Sequence, residues 1–267
     1  MSASLLVPIF SGIQRIQKGI ALGDAPARVK TFVLGLSSQD GPLLEDFLQQ
    51  PGNLGGWNAV VTSQADISAV AELAGPMAAV AASQTAMTAV VASQTAMTEI
   101  EAVARAVVQI MTIPAGLDWT DYATPDLVVA SETAMTAVAA SQMAMTAVAA
   151  SETVQISISE STTAMNALRD VASTADSGSV DNNSWEPVGA ASNGTVFVID
   201  VWWNNFSVSG TTELRSLSPQ GGVFDAGYNW SEETPVGRAF TNLEIRRNEG
   251  STSNRSRTVR YIPITGA

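Results

Sequence analysis

One carboxylate and three aromatic rings come closest to being a chemical site. In the stretch TVFVIDVWWNN, Phe197, Ile199, Val201 and Trp203 make an apolar face suited to a core. The opposite face sets Trp202 beside Asp200, and Tyr228 and Trp230 share another turn-rich stretch. Trp and Tyr on an outer face stack on sugar rings or bury against a neighbouring chain. These four residues, Trp202, Asp200, Tyr228 and Trp230, are the ligand-binding candidates. Asp118, Asp121 and Asp126, and Glu232 and Glu233 near Asp225, bring further carboxylates together. Glycoside hydrolysis needs two carboxylates held across a cleft, which neighbours on one loop do not supply. Asp118 and Asp121 lack the fuller ladder of a calcium loop. No catalytic residue, metal ligand or cofactor is therefore expected.

Residue types absent from the chain narrow the chemistry further. With neither His nor Cys in 267 residues, a single chain has no imidazole base, no thiolate and no soft metal ligand. The net charge of −12 is uneven, residues 61–172 carrying two basic and eleven acidic side chains. Such a middle third repels polyanions and anionic membranes, so no nucleic-acid partner is expected. Arg246, Arg247, Arg255, Arg257 and Arg260 form a local basic cluster, read as a solvated surface or as partners of nearby acids. The start, MSASLLVPIF, lacks a basic segment and is broken by Pro8, so it does not read as a secretory signal, and the apolar repeat is too often interrupted for membrane insertion.

Three kinds of sequence must position these residues. Residues 1–60 read as a β-rich module, because the alternating segment 9–36 places GDAP where a hairpin turn would sit, ahead of a short helix at GPLLEDFL. Residues 61–175 read as helical, interrupted at 111–126. Residues 180–267, with short apolar runs between Gly, Pro, Asn and Ser, read as an antiparallel β-sandwich or barrel.

The helical segment repeats a ten-residue phrase, as in MAAVAASQTAMTAVVASQTAMT and SETAMTAVAASQMAMTAVAA. Apolar residues recur three apart within each decad, at Met77 and Val80, Met87 and Val90, Met97 and Ile100, and Val107 and Ile110. A second array continues with Met135 and Val138, Met145 and Val148, Ile158, and Met165 and Leu168. Ala, Met, Gln and Glu favour helix. Ten residues fall about 80° short of three helical turns, so the stripe holds one face only if helices overwind around partners, as in a tightened coiled coil. The stripe is then an oligomer seam. Polar residues at the third contact position, including Gln84, Gln94, Glu132, Gln142 and Glu152, would set register. A hairpin of the two arrays within one chain is the main alternative. A ten-residue solenoid coil is another, for which the phrase lacks strand formers.

The decads TAMTAVAAS and SQTAMT resemble repeats of tail-fibre and related virion proteins of tailed bacteriophages. Ile16-Gln17-Lys18-Gly19 followed by Lys30-Thr31-Phe32-Val33 is similar to a β-module of phage tail proteins. The resemblance implies an elongated α+β homotrimer: an anchoring module docked on other tail or neck proteins, a helical shaft, and a head that touches a host-surface glycan or protein. Its place would be an external appendage of the virion, after synthesis in the host cytoplasm. A head or neck fibre, a decoration protein, a cell-surface adhesin and a polysaccharide-cleaving tailspike are the alternatives.

Overall fold

The computed structural model describes residues 24–172, 174–180, 185–188, 194–203, 211–216, 224–225, 234–248 and 255–265. The chain is mixed α+β and divides into two compact units inside the Pro/Gly interruption. One runs to Pro114 and includes Asp118–Thr124; the other comprises Ala115–Leu117 and everything from Pro125 onward.

Among its described residues, the first unit is helical throughout. Where alternation leads one to expect the second strand of a hairpin, Ala25–Leu34 forms helix α1. Asp24 accepts the Ala27 N–H at 3.2 Å, Pro26 occupies the first turn, and Val29, Phe32 and Val33 face inward at helical spacing. GDAP is thus a helix start rather than a turn. The Lys30–Val33 half of the phage-like β-module is helical, and its Ile16–Gly19 half lies outside the described residues. Helix α2 (Gly41–Leu48) follows as expected, and α3 spans Asn53–Thr62.

The decads do not form long helices. Each is one short helix, separated from the next by a corner of one or two residues: α4 (Gln64–Ala71), α5 (Ala74–Ala82), α6 (Gln84–Val91), α7 (Gln94–Glu101) and α8 (Ala104–Thr112). The second unit repeats the design in α9 (Pro125–Val129), α10 (Glu132–Ala140), α11 (Gln142–Ala150), α12 (Glu152–Glu160) and α13 (Thr162–Val171). Ser83 shows how a corner works. Its N–H donates to the Val80 carbonyl at 3.1 Å, closing α5, while its Oγ accepts the Ala86 N–H at 3.1 Å and its carbonyl accepts the Met87 N–H at 2.9 Å, opening α6. Its own backbone is extended, at φ −100° and ψ 119°, so one residue redirects the chain. Ser93, Ser131, Ser141, Ser151 and Ser161 cap the following helices in the same way. The bend is 99° between α4 and α5 and 101° between α10 and α11.

Turning by about this much at each corner, the chain comes back beside itself after three helices. In the first unit α2 packs on α5, α3 on α6, α4 on α7 and α5 on α8; in the second, α9 packs on α12 and α10 on α13. Hydrogen bonds follow the same interval: Trp57 Nε1 donates to the Ala86 carbonyl at 3.1 Å, and Ser93 Oγ to the Val61 carbonyl at 2.8 Å. Each array is therefore a three-sided helical solenoid with one decad per side. The missing strand formers are no obstacle, because its sides are helices.

This arrangement corrects the oligomer seam. Met77, Val80, Met87, Val90, Met97, Ile100, Val107, Ile110, Met135, Val138, Met145, Val148, Ile158, Met165 and Leu168 are all buried inside the single chain, none more than 4% exposed. The residues preceding the Met positions, Ala86, Ala96, Ala134, Ala144 and Ala164, are buried beside them. The third contact position faces solvent at Gln84, Gln94, Ala104, Glu132, Gln142, Glu152 and Thr162. Overwinding is unnecessary, because each helix ends before its stripe can drift.

The second unit adds two antiparallel sheets. One has strand order β1 (Thr174–Val180), β8 (Arg255–Thr265), β3 (Thr195–Trp203), β6 (Thr234–Thr241). The other runs β2 (Glu186–Pro187), β7 (Leu243–Asn248), β4 (Thr211–Ser216), β5 (Phe224–Asp225). Val196, Val198, Val201, Phe240, Val259 and Tyr261 of the first sheet share a core with Leu214, Leu243 and Ile245 of the second, which makes a sandwich. Helices α11, α12 and α13 pack on the first sheet. Gln155 Oε1 accepts the Ala239 N–H at 2.9 Å, and Gln142 Nε2 donates to the Ile264 carbonyl at 2.5 Å. Gly237, at φ +61°, admits Ser159 where a Cβ would lie 2.7 Å from it.

Candidate functional site

A bulge in β3 decides where the candidate residues point. Pairing with both neighbours shifts register between Val198 and Asp200. Strict alternation puts Asp200 and Trp202 on the face of Val196 and Val198. The extra residue instead moves Val201 into the sandwich core with those valines and turns Asp200 toward the helices. Phe197 and Ile199 are buried outside that core.

Asp200 is consequently no surface ligand. It is fully buried, and its Oδ2 accepts from Arg169 Nε of α13 at 2.8 Å and from Arg260 NH1 of β8 at 3.3 Å. A buried carboxylate is tolerable only with such partners. Arg260 also stacks over half-buried Trp202, its Cζ 5.0 Å from the ring centre. Arg169 NH1 donates to Asn166 Oδ1 at 3.0 Å. This chain of contacts fixes one wall of a cleft of about 370 Å³ lined by Glu132, Thr163, Asn166, Arg169 and Asp170, between α10 and α13. Tyr228 and Trp230 lie outside the described residues.

Sequence reasoning missed Trp185. Both Arg215 and Arg246 set their guanidiniums over its ring, at 4.1 and 4.6 Å from the centre. The same arginines pair across β4 and β7, Arg215 with Glu244 at 2.6 Å and Arg246 with Glu213 at 2.5 Å. The signal was present in the runs Glu213-Leu214-Arg215 and Glu244-Ile245-Arg246, which bring opposite charges together when paired antiparallel. Two members of the basic cluster thus serve acids, Arg246 and Arg260, while Arg257 is buried and donates to the Pro187 carbonyl at 3.4 Å.

Glu232 and Glu233 lie outside the described residues, and Asp118 and Asp126 have local duties. Asp118 accepts the N–H and hydroxyl of Thr120, which hold its carboxyl below the usual range. Asp126 accepts Ser157 Oγ at 3.3 Å. Among the described residues no group of three potential ligands is placed to hold a metal ion. In the first unit Glu45 accepts the Ser83 hydroxyl at 2.6 Å, the Thr85 N–H at 2.9 Å and the Thr85 hydroxyl. Burial pushes its pKa up, but the hydrogen bonds from Ser83, Thr85 and Gln49 together outweigh that and leave it lowered.

Among the described residues no single helix is long and apolar enough to cross a membrane. No family model matches the chain, and no curated protein matches it.

Proposed function

We propose that the chain is a structural component of a tailed-phage virion, a fibre or spike in which helical coils act as a rigid spacer and the β-sandwich unit attaches to a host surface. One observation carries this reading: with Gln155 the exception, the decads place apolar side chains at the same two positions inside their own coil and leave the same third position in solvent, so repetition builds shape rather than a reacting site. The phage-like wording of the decads supplies the virion setting. Three copies joined in one particle would multiply a weak attachment. With the decad stripe occupied inside each chain, such an assembly has to use other surfaces, which the exposed polar positions and the sandwich exterior offer.

The test is an antibody raised against the recombinant chain, applied to purified particles from the source. Label on an external appendage, with a solution mass of three chains, is the expected result. Particles that carry no label, or release of reducing sugars from surface polysaccharide by the pure protein, would overturn the proposal.

A further inference from the structure

We infer that the cleft between α10 and α13 binds a sugar bearing a free ammonium group; this deepens the attachment reading and rests on it. Glu132 and Asp170 line the cleft, are exposed, and make no ion pair among the described residues. Its only cation, Arg169, is directed at buried Asp200 and at Asn166. The cleft therefore presents net negative charge in a part of the chain that is already acidic, and a cationic group is attracted where an anion is repelled. Thr163 and Asn166 add hydroxyl and amide groups that hydrogen-bond to ring hydroxyls. A volume of about 370 Å³ sits at the small end of ligand pockets, matching one or two sugar rings rather than a long chain. The wall is rigid because Arg169 is anchored on a fully buried carboxylate that Arg260 also holds, so the cleft is formed before any ligand arrives.

Titration of the full chain with D-glucosamine, followed by NMR shifts or calorimetry, tests this. Saturable binding near about 1 mM is expected, a typical strength for one small polar ligand corresponding to about −4 kcal/mol. N-acetylglucosamine, which lacks the ammonium, should bind at least about tenfold more weakly. Glu132→Gln and Asp170→Asn should each weaken glucosamine at least about fivefold, with Asp46→Asn, an exposed acid of the other unit, leaving it unchanged. Equal binding of the two sugars, displacement of glucosamine by a lysine tripeptide at lower concentration, or no saturable binding would overturn the assignment. Cell attachment without glucosamine binding removes only this inference. Glucosamine binding with no label on particles removes only the virion reading.

Discussion

The solenoid arrays and the sandwich solve the same problem, burying apolar surface without stranding polar groups, by opposite means. An array uses one solution repeatedly: a small apolar set inside, polar residues outside, and an extended corner residue, most often serine, that closes one helix and opens the next. The sandwich unit uses solutions that occur once, such as a bulge that turns Asp200 inward and two arginines from different elements that neutralise it. Repetition therefore accompanies uniform packing, and individuality accompanies buried charge. The difference also predicts unequal sensitivity to change.

The largest effect should come from the count of sides. Deleting the decad Gln142–Ser151 removes one side of a three-sided coil and with it the Gln142 contact to Ile264, so the later helices meet the wrong partners and Gln155 and Arg169 lose their places against the sheet. Loss of cooperative unfolding of the second unit is expected in thermal circular dichroism, a cost comparable to a whole domain's stability of about 5–15 kcal/mol. Inserting three decads after Ser141 restores every third-helix contact and should shift the melting point by only a few degrees while raising helical signal. A coiled-coil seam would tolerate both changes, so survival of the ten-residue deletion would sink the solenoid.

Next in size is the buried charge. Arg169→Ala removes from buried Asp200 the guanidinium that donates to it at 2.8 Å, and urea unfolding should show a loss of about 3–5 kcal/mol. An apolar pair replacing both groups would lose much less. A change under about 1 kcal/mol for Arg169→Ala would mean that Asp200 is not held as the geometry indicates.

The serine corners come third and can be graded among themselves. Ser131→Ala removes the cap that accepts the Ala134 N–H at 3.2 Å, and should cost about 1 kcal/mol. Ser93→Ala removes an equivalent cap and also the donor to the buried Val61 carbonyl, adding about 1–3 kcal/mol. Equal losses at the two sites would show that the corner serines cap helices without tying coils together.

Much of this was legible in the sequence, and the errors share a cause. The ten-residue period, the apolar positions Met87, Val90, Met97 and Ile100, the interruption and the all-β end follow from patterning alone, because burial imposes periodicity. The corner was misread because a helix of eight or nine residues has the same apolar spacing as a longer one. What marks most corners is a Ser recurring at ten-residue intervals, at Ser83 and Ser93 and from Ser131 to Ser161, followed three residues later by the amide it caps, while Leu73 and Val103 turn the chain without a side-chain cap. GDAP was misread because Asp and Pro start helices as readily as they make turns. Asp200 was misplaced because a single bulge inverts every later side chain, and nothing local in VFVIDVWW announces it. Trp185 escaped notice because its partners lie in two other strands.

The smallest effect concerns pH and separates the two units again. Glu45 of α2 caps the start of α6, and hydrogen bonds from Ser83, Thr85 and Gln49 overcome its burial to lower its pKa in the folded chain. A carboxylate whose folded pKa is depressed stabilises the fold fully above its unfolded value, and this stabilisation is lost as pH falls through the lowered folded value. The first unit should therefore lose stability in the acid range just below the ordinary glutamate pKa, and Glu45→Gln should flatten that part of the curve while lowering stability at pH 7. The acid midpoint of the first unit should differ between wild type and Glu45→Gln, measured by tryptophan fluorescence of the buried Trp57 in a chain whose other tryptophans are replaced by Phe. Trp57 donates to the carbonyl of Ala86 in α6, the helix that Glu45 caps, so its emission reports that contact directly. An identical acid profile for wild type and Glu45→Gln would show that the tie between α2 and α6 is packing alone.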